Sequence, residues 1–173
     1  RHMKLRIAGV SNDSIVDGEG IRYTVFTQGC VRNCPGCHNP QTHDLYGGKE
    51  VEVDDLIAEM QKNTILTGLT ISGGEPFIQA QACTELARKA HEIGLNVWCY
   101  TGYTYEALVS DAATERCLHY IDTLVDGPFV QRLYDPALHF RGSSNQRLID
   151  VQASLAQNKA IIYEYEPKAD IRI

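Results

Sequence analysis

Residues 66–100 read LTGLTISGGEPFIQAQACTELARKAHEIGLNVWCY, and this stretch decides the fold. It opens on L-T-G-L-T-I-S, an apolar and β-branched run of strand length. Gly73, Gly74 and Pro76 interrupt that run. Between residues 79 and 93 the period changes. Leu86, Ala87, Ala90 and Ile93 fall on one helical face, and Gly94 supplies the stop. Residues 95–100, L-N-V-W-C-Y, are again strand-like. Strand, helix and strand in succession form a β-α-β unit, whose two strands must run parallel.

The same alternation extends to both sides. Residues 21–28, I-R-Y-T-V-F-T-Q, predict an earlier strand, and Val53-Asp54-Asp55 opens a helix with Asp54 as its expected N-cap. Thr104 caps the next helical stretch, which runs with a break to about Tyr120. Residues 121–126 and 146–151 predict two further strands, and residues 161–165 a possible sixth. A loop containing Pro and Gly covers 127–145. The expected fold class is therefore α/β: an open partial (β/α) barrel of five to six parallel strands, with a flat doubly wound sheet as the alternative. Five or six units fall short of the roughly 250 residues of a closed eight-stranded barrel. Residues 3–173 are expected to form a single domain, with Arg1 and His2 read as a cloning remnant.

Composition excludes several classes of function. A net charge of −6 is no footprint for nucleic acid, and no apolar run approaches membrane-spanning length. With no secretion signal in view, the expected compartment is the reducing cytoplasm, where clustered Cys bind metal more often than they form disulfides. Cys83, Cys99 and Cys117 are scattered and read as small core residues. His43, His91, His119 and His139 show no ligand spacing and read as surface or packing residues.

The chemistry-bearing motifs fall at the carboxyl ends of the predicted strands, where α/β folds bind ligands. After the first strand comes C-V-R-N-C-P-G-C, with Cys30, Cys34 and Cys37 in eight residues. Three thiolates can hold a 4Fe-4S cluster and leave one iron open; a zinc site completed by His38 or a remote residue is the competing reading. After the second strand, Ser72-Gly73-Gly74-Glu75 offers backbone groups for close approach and one acceptor for a cation, or else a plain strand-to-helix turn. Thr101 follows the third strand and Asp126 ends the fourth.

Together, C-x3-C-x2-C and G-G-E resemble the radical S-adenosylmethionine superfamily. That resemblance implies a 4Fe-4S cluster on Cys30, Cys34 and Cys37, and S-adenosylmethionine as the second cofactor. The methionine ammonium would be held by Glu75 or by the Gly73–Gly74 backbone, with Ser72 alongside. The backbone of Gly36, Cys37 and His38 would meet the adenine. Thr101 and Asp126 would line the methionine carboxylate, and no catalytic side chain beyond the cofactor ligands is implied. Asp17-Gly18-Glu19-Gly20-Ile21-Arg22, Gln28-Gly29-Cys30 and Cys37-His38-Asn39-Pro40 narrow the resemblance to glycyl-radical enzyme activases, although Glu19 stands where D-G-P-G-I-R is usual. Val125-Asp126-Gly127-Pro128-Phe129 and Gly142-Ser143-Ser144-Asn145-Gln146-Arg147 resemble the branch acting on anaerobic ribonucleoside-triphosphate reductase. The resemblance thus implies a 5′-deoxyadenosyl radical directed at a glycine of that reductase's glycyl-radical subunit. It also implies an external one-electron donor such as flavodoxin or ferredoxin. Asp17 is the candidate contact to the substrate loop. Arg22 is expected to pair with an acid inside the barrel or to serve the site. A different glycyl-radical enzyme as target, or a non-catalytic Zn or Fe–S binding module, are the alternatives.

Overall fold

In the computed structural model, which describes residues 3–30, 34–37 and 40–165, the strand-helix-strand unit at 66–100 forms as the pattern dictates. Strand β4 spans Gly68–Gly73, helix α2 Ala80–Glu92 and strand β5 Asn96–Tyr100, and β4 and β5 pair in parallel. Strands β2 (Arg22–Thr27) and β6 (Thr123–Asp126) extend the parallel set on either side. Three further strands complete the sheet: β1 (Lys4–Ser14), β3 (Lys49–Glu52) and β7 (Arg147–Asp150). The order is β3-β1-β2-β4-β5-β6-β7, open at both ends.

The α/β open sheet agrees with the sequence reading, and the strand directions refine it. Four strands run parallel, while β1, β3 and β7 pair antiparallel with their neighbours. Strand β7 was expected to continue the parallel run. The segment between β6 and β7 holds only a short 3-10 turn at Gln131–Leu133, so no helix carries the chain back for a parallel crossover. The possible sixth strand is a single antiparallel bridge between Ile162 and Ile149.

Alternation along each strand gives the sheet two different faces. Tyr23, Val25, Leu69, Ile71, Val97, Cys99 and Leu124 join the main core with the buried stripes of the helices. From α1 (Val53–Lys62) come Val53, Leu56, Ile57 and Met60; from α2 come Cys83, Leu86, Ala87 and Ala90. Helices α3 (Tyr105–Val109) and α4 (Ala112–Leu118) are capped by Thr104 and Asp111, and α5 (Val151–Gln157) by Asp150. The expected cap at Asp54 is not used: α1 begins two residues earlier, with Glu52 at the cap position and no side-chain cap bond, and Asp54 lies in the first turn where the dipole favours an acid. Among the described residues no helix is long and apolar enough to cross a membrane.

The opposite face carries Arg22, Thr24, Thr70, Trp98 and Val125. Arg22, expected to pair with an acid or to serve the site, is fully buried and finds neutral oxygens. Its Nε donates to Thr70 Oγ1 at 2.6 Å, Nη1 to Glu19 O at 2.7 Å, and Nη2 to Leu69 O at 2.8 Å and Asn96 Oδ1 at 2.6 Å. The guanidinium also lies 5.4 Å from the Trp98 ring centroid, a cation–π distance. Gly18 (φ +129°) closes over this pair, and a Cβ there would come 2.9 Å from Arg22 Cδ and 3.0 Å from Trp98. Residues 163–165 cross the same face. Tyr163 packs edge-on to Trp98 and donates its hydroxyl to Glu19 Oε1 at 2.5 Å, while Tyr165 meets Phe140 at 4.9 Å.

Candidate functional site

A cavity of about 580 Å³ lies at the carboxyl ends of the parallel strands, within the usual size range of small-molecule sites. Cys30, Cys34 and Cys37 line it after β2, Ser72 to Glu75 after β4, Thr101 and Gly102 after β5, and Gly127 to Phe129 after β6. Asp17 lines it as well. The motifs singled out in the sequence therefore converge on one space.

The thiol loop has a fixed root. Gly29 N donates to Thr42 O at 2.6 Å and Cys30 N to His43 O at 3.1 Å, while Cys37 N closes a turn onto Cys34 O at 3.0 Å. None of the three cysteines is in a disulfide, and all are partly exposed. Among the described residues, no three His, Cys, Asp or Glu side chains gather as tightly as a single ion requires; the thiols instead border a larger space. Three thiolate donors on the wall of a cavity of this size fit an iron–sulfur cluster with room beside it for a second ligand.

The two glycines of G-G-E serve this root directly. Gly73 sits at φ +98°, and a Cβ there would lie 2.4 Å from Thr27 N and 2.6 Å from Thr27 O. A Cβ on Gly74 would lie 2.4 Å from Gly29 O. Their bareness lets Gly74 N donate to Thr27 O at 2.9 Å and Glu75 N to Gly29 O at 2.8 Å. The end of β4 is thus stitched to the residues that launch the thiol loop.

Glu75 is only 1% exposed, and its carboxylate is already occupied. It accepts from Phe77 N at 3.1 Å, from Thr101 Oγ1 at 2.8 Å and from Gly102 N at 2.7 Å. It therefore caps the turn at Pro76–Gln79 and ties β4 to the end of β5. Thr101 is spent in the same network: its Oγ1 also accepts from Tyr103 N at 3.1 Å. Asp17 accepts from Ser14 Oγ at 2.5 Å and Thr24 Oγ1 at 3.2 Å, which fixes its carboxylate at the cavity wall.

Asp126 behaves differently from the expectation. Its carboxylate, 1% exposed, accepts from Arg147 Nε at 3.0 Å, Arg147 Nη2 at 2.5 Å and Tyr105 N at 2.8 Å. Arg147 also reaches Glu106, and the two carboxylates hold its guanidinium charged at every accessible pH. The strand end after β6 contributes Gly127, Pro128 and Phe129 to the lining, with Asp126 turned to Arg147. Gly36 (φ +74°) is exposed and faces Gln131; His38 lies outside the described residues.

Several lining residues escaped sequence reasoning. His43, read there as surface or packing, borders the cavity beside Cys30. Tyr100 does too, its phenol pushed well above the ordinary range by burial and then by nearby Asp17. Leu138, Phe140 and Arg141 come from the loop between β6 and β7, which has no periodicity to read, and Gly142 and Gln146 of the same loop stood out only as part of a motif and not as site residues.

Comparison with known proteins agrees with this site. The family described as "4Fe-4S single cluster domain" matches residues 16–149. The anaerobic ribonucleoside-triphosphate reductase-activating protein of Salmonella typhi is 42% identical over 142 residues, covering 76% of this chain and 90% of that protein. The protein of the same name from Escherichia coli K12 is 38% identical over 141 residues, with 76% and 90% covered. Among solved structures, QueE from Escherichia coli shares the fold, with a TM-score of 0.50 at 18% identity over 72% of this chain and 71% of that one.

Proposed function

Because the chain belongs to the anaerobic ribonucleoside-triphosphate reductase-activating proteins and to the 4Fe-4S single cluster domain family, we propose that it is a radical S-adenosylmethionine enzyme that places a glycyl radical on that reductase. The observation that carries this reading is the convergence of three cysteines outside any disulfide and the G-G-E strand end on one cavity. With one electron from outside, the cluster and S-adenosylmethionine supply a reductive C–S cleavage that leaves methionine and a 5′-deoxyadenosyl radical able to take hydrogen from a glycine Cα.

The chain's own residues hold and shield these groups. Cys30, Cys34 and Cys37 hold the cluster. The backbone of Ser72, Gly73 and Gly74 receives the methionine ammonium, since the Glu75 carboxylate already accepts three hydrogen bonds and its remaining acceptor capacity is small. Glu75 and Thr101 act chiefly by fixing the two strand ends around the ligand. Phe26, Tyr100, Pro128, Phe129, Leu138 and Phe140 give the cavity an apolar wall that keeps water from a reactive intermediate. Asp17, on the wall beside the exposed Val16, faces the incoming loop of the reductase. The backbone of Gly36 and Cys37 would meet the adenine. The electron comes from a flavodoxin- or ferredoxin-class protein, and the setting is the cytoplasm.

The test is to reconstitute the protein anaerobically with iron and sulfide, add S-adenosylmethionine, a reductant and the reductase, and record electron paramagnetic resonance. A glycyl radical on the reductase, absent with Cys34→Ala, is the expected result. No iron uptake, or cleavage of S-adenosylmethionine with the radical on a different enzyme only, would overturn it.

A further inference from the structure

Asp17 sits in a loop, residues 15–20, that follows β1 and leads towards β2. The outer edge of this loop is exposed: Ile15 and Val16 are 71% and 73% accessible. Two glycines flank residue 19 at positive φ, +129° at Gly18 and +87° at Gly20. Glycine gives the backbone many conformations, and ordering them carries an entropic cost. A proline between the two, the usual form of the motif, would fix φ at about −65° and remove much of that freedom. This chain has Glu19 there, which brings no such restraint.

The restraint comes from residues 161–163 instead. Tyr163 N donates to Leu148 O at 2.9 Å and Asp150 N to Ile161 O at 2.9 Å, so this segment runs beside β7. From that edge the Tyr163 ring packs on Trp98, edge-on at 6.0 Å, and its hydroxyl donates to Glu19 Oε1 at 2.5 Å. That bond first, and burial second, push the phenol up to about 12, so it stays a donor across the neutral range. The main chain of the loop is held from below. Glu19 O accepts from the buried Arg22 Nη1 at 2.7 Å, and Asp17 O from Thr70 Oγ1 at 2.7 Å. Through its side chain Glu19 therefore joins the loop that carries Asp17, beside β2, to a segment anchored on β7 at the far edge of the sheet.

We infer that Tyr163 and Glu19 are positioning residues for recognition of the reductase: their bond takes over the restraint a proline would give and holds Asp17 ready for the glycine-bearing loop. The inference rests on the proposal that Asp17 faces that loop. The test compares cluster-loaded wild type, Tyr163→Phe, Glu19→Ala, the double variant, and Glu19→Pro with and without Tyr163→Phe. Two rates are followed: glycyl-radical formation against reductase concentration, by electron paramagnetic resonance, and S-adenosylmethionine cleavage without reductase. Tyr163→Phe keeps the ring on Trp98 and loses only the hydroxyl. It should raise the reductase concentration for half-maximal activation by roughly three- to tenfold, the range of one charge-assisted bond open to water, with cleavage within about twofold of wild type. Glu19→Ala should do the same and the double variant no more, because both changes remove one bond. In Glu19→Pro, whose carbonyl still serves Arg22, adding Tyr163→Phe should change nothing. Wild-type half-activation in Tyr163→Phe, an equal fall in cleavage without reductase, additive effects of the two single variants, or a Glu19→Pro protein still sensitive to Tyr163→Phe would each overturn the assignment while leaving the proposed function in place. If the wild-type protein itself puts no radical on the reductase, the reading beneath fails, and the assignment with it.

Discussion

Gly73→Ala separates two accounts of the G-G-E motif. If the glycines exist to let a ligand approach, the substitution weakens binding and leaves the empty protein intact. The geometry says otherwise. At φ +98° an added methyl meets Thr27 N at 2.4 Å and Thr27 O at 2.6 Å, and both atoms are backbone in a buried strand. The left-handed conformation costs an L-residue about 1–2 kcal/mol, and moving packed backbone adds about 1–3 kcal/mol. The expected loss is about 3 kcal/mol, a large share of the roughly 5–15 kcal/mol that stabilises a domain. For a chain of this size each kcal/mol lowers Tm by about 2–4 °C, so a fall of about 6–12 °C is expected. The assay is thermal and urea unfolding of cofactor-free protein under anaerobic reducing conditions, followed by far-UV circular dichroism. Stability within about 0.5 kcal/mol of wild type, with ligand affinity lost, would refute the packing account.

Two further outcomes follow from buried groups. Burial raises the thiols of Cys83 and Cys99 well above their ordinary value and pushes Cys117 up to about 11. In the unfolded chain these thiols deprotonate near 9, so their contribution is intact below that pH and is lost as pH rises towards 11; the sign is destabilising in alkali, by at most about 4 kcal/mol for the three at pH 10. Urea midpoints of reduced protein at pH 8 and pH 10 check it, and an unchanged midpoint would count against the buried-thiol account. Asp126→Asn should cost about 2 kcal/mol, because it dissolves the ion pair with a partly solvated Arg147 and weakens the cap on α3. Affinity for S-adenosylmethionine should stay within about threefold of wild type, since a carboxylate turned to Arg147 has no ligand to lose. A tenfold or greater loss of affinity at native stability would return Asp126 to the binding site.

The central β-α-β run and the thiol and G-G-E motifs were legible because each has a local cause: alternation, helical periodicity, glycine at a turn, spacing of ligands. Strand β1 was not, since K-L-R-I-A-G-V-S-N-D-S is largely half-exposed and alternates weakly. Strand β3, K-E-V-E, is four residues that pair at the sheet edge with β1. The direction of β7 depends on where the chain returns, which no short window encodes. In the site, residue types were legible but commitments were not. Nothing local shows that Arg22 takes carbonyl oxygens across the sheet, that Thr101 and Gly102 fill the lone pairs of Glu75, or that Arg147 takes Asp126. Each of these bonds joins residues at least 21 positions apart.

The bond from Tyr163 to Glu19 joins positions 144 residues apart, the longest reach among the described side-chain bonds. Closing so large a loop is entropically costly and comes late, after the local β-α-β contacts have formed. On a ribosome it cannot form until residue 163 has emerged. The two aromatic side chains that buttress Phe140, and through it the wall bearing Arg141, then arrive at different times: Trp98 is made before Phe140, Tyr165 after it. A truncated or nascent chain therefore has its thiol loop before it has a finished ligand wall. The residue that departs from the usual D-G-P-G pattern, Glu19, is the anchor that receives this late segment.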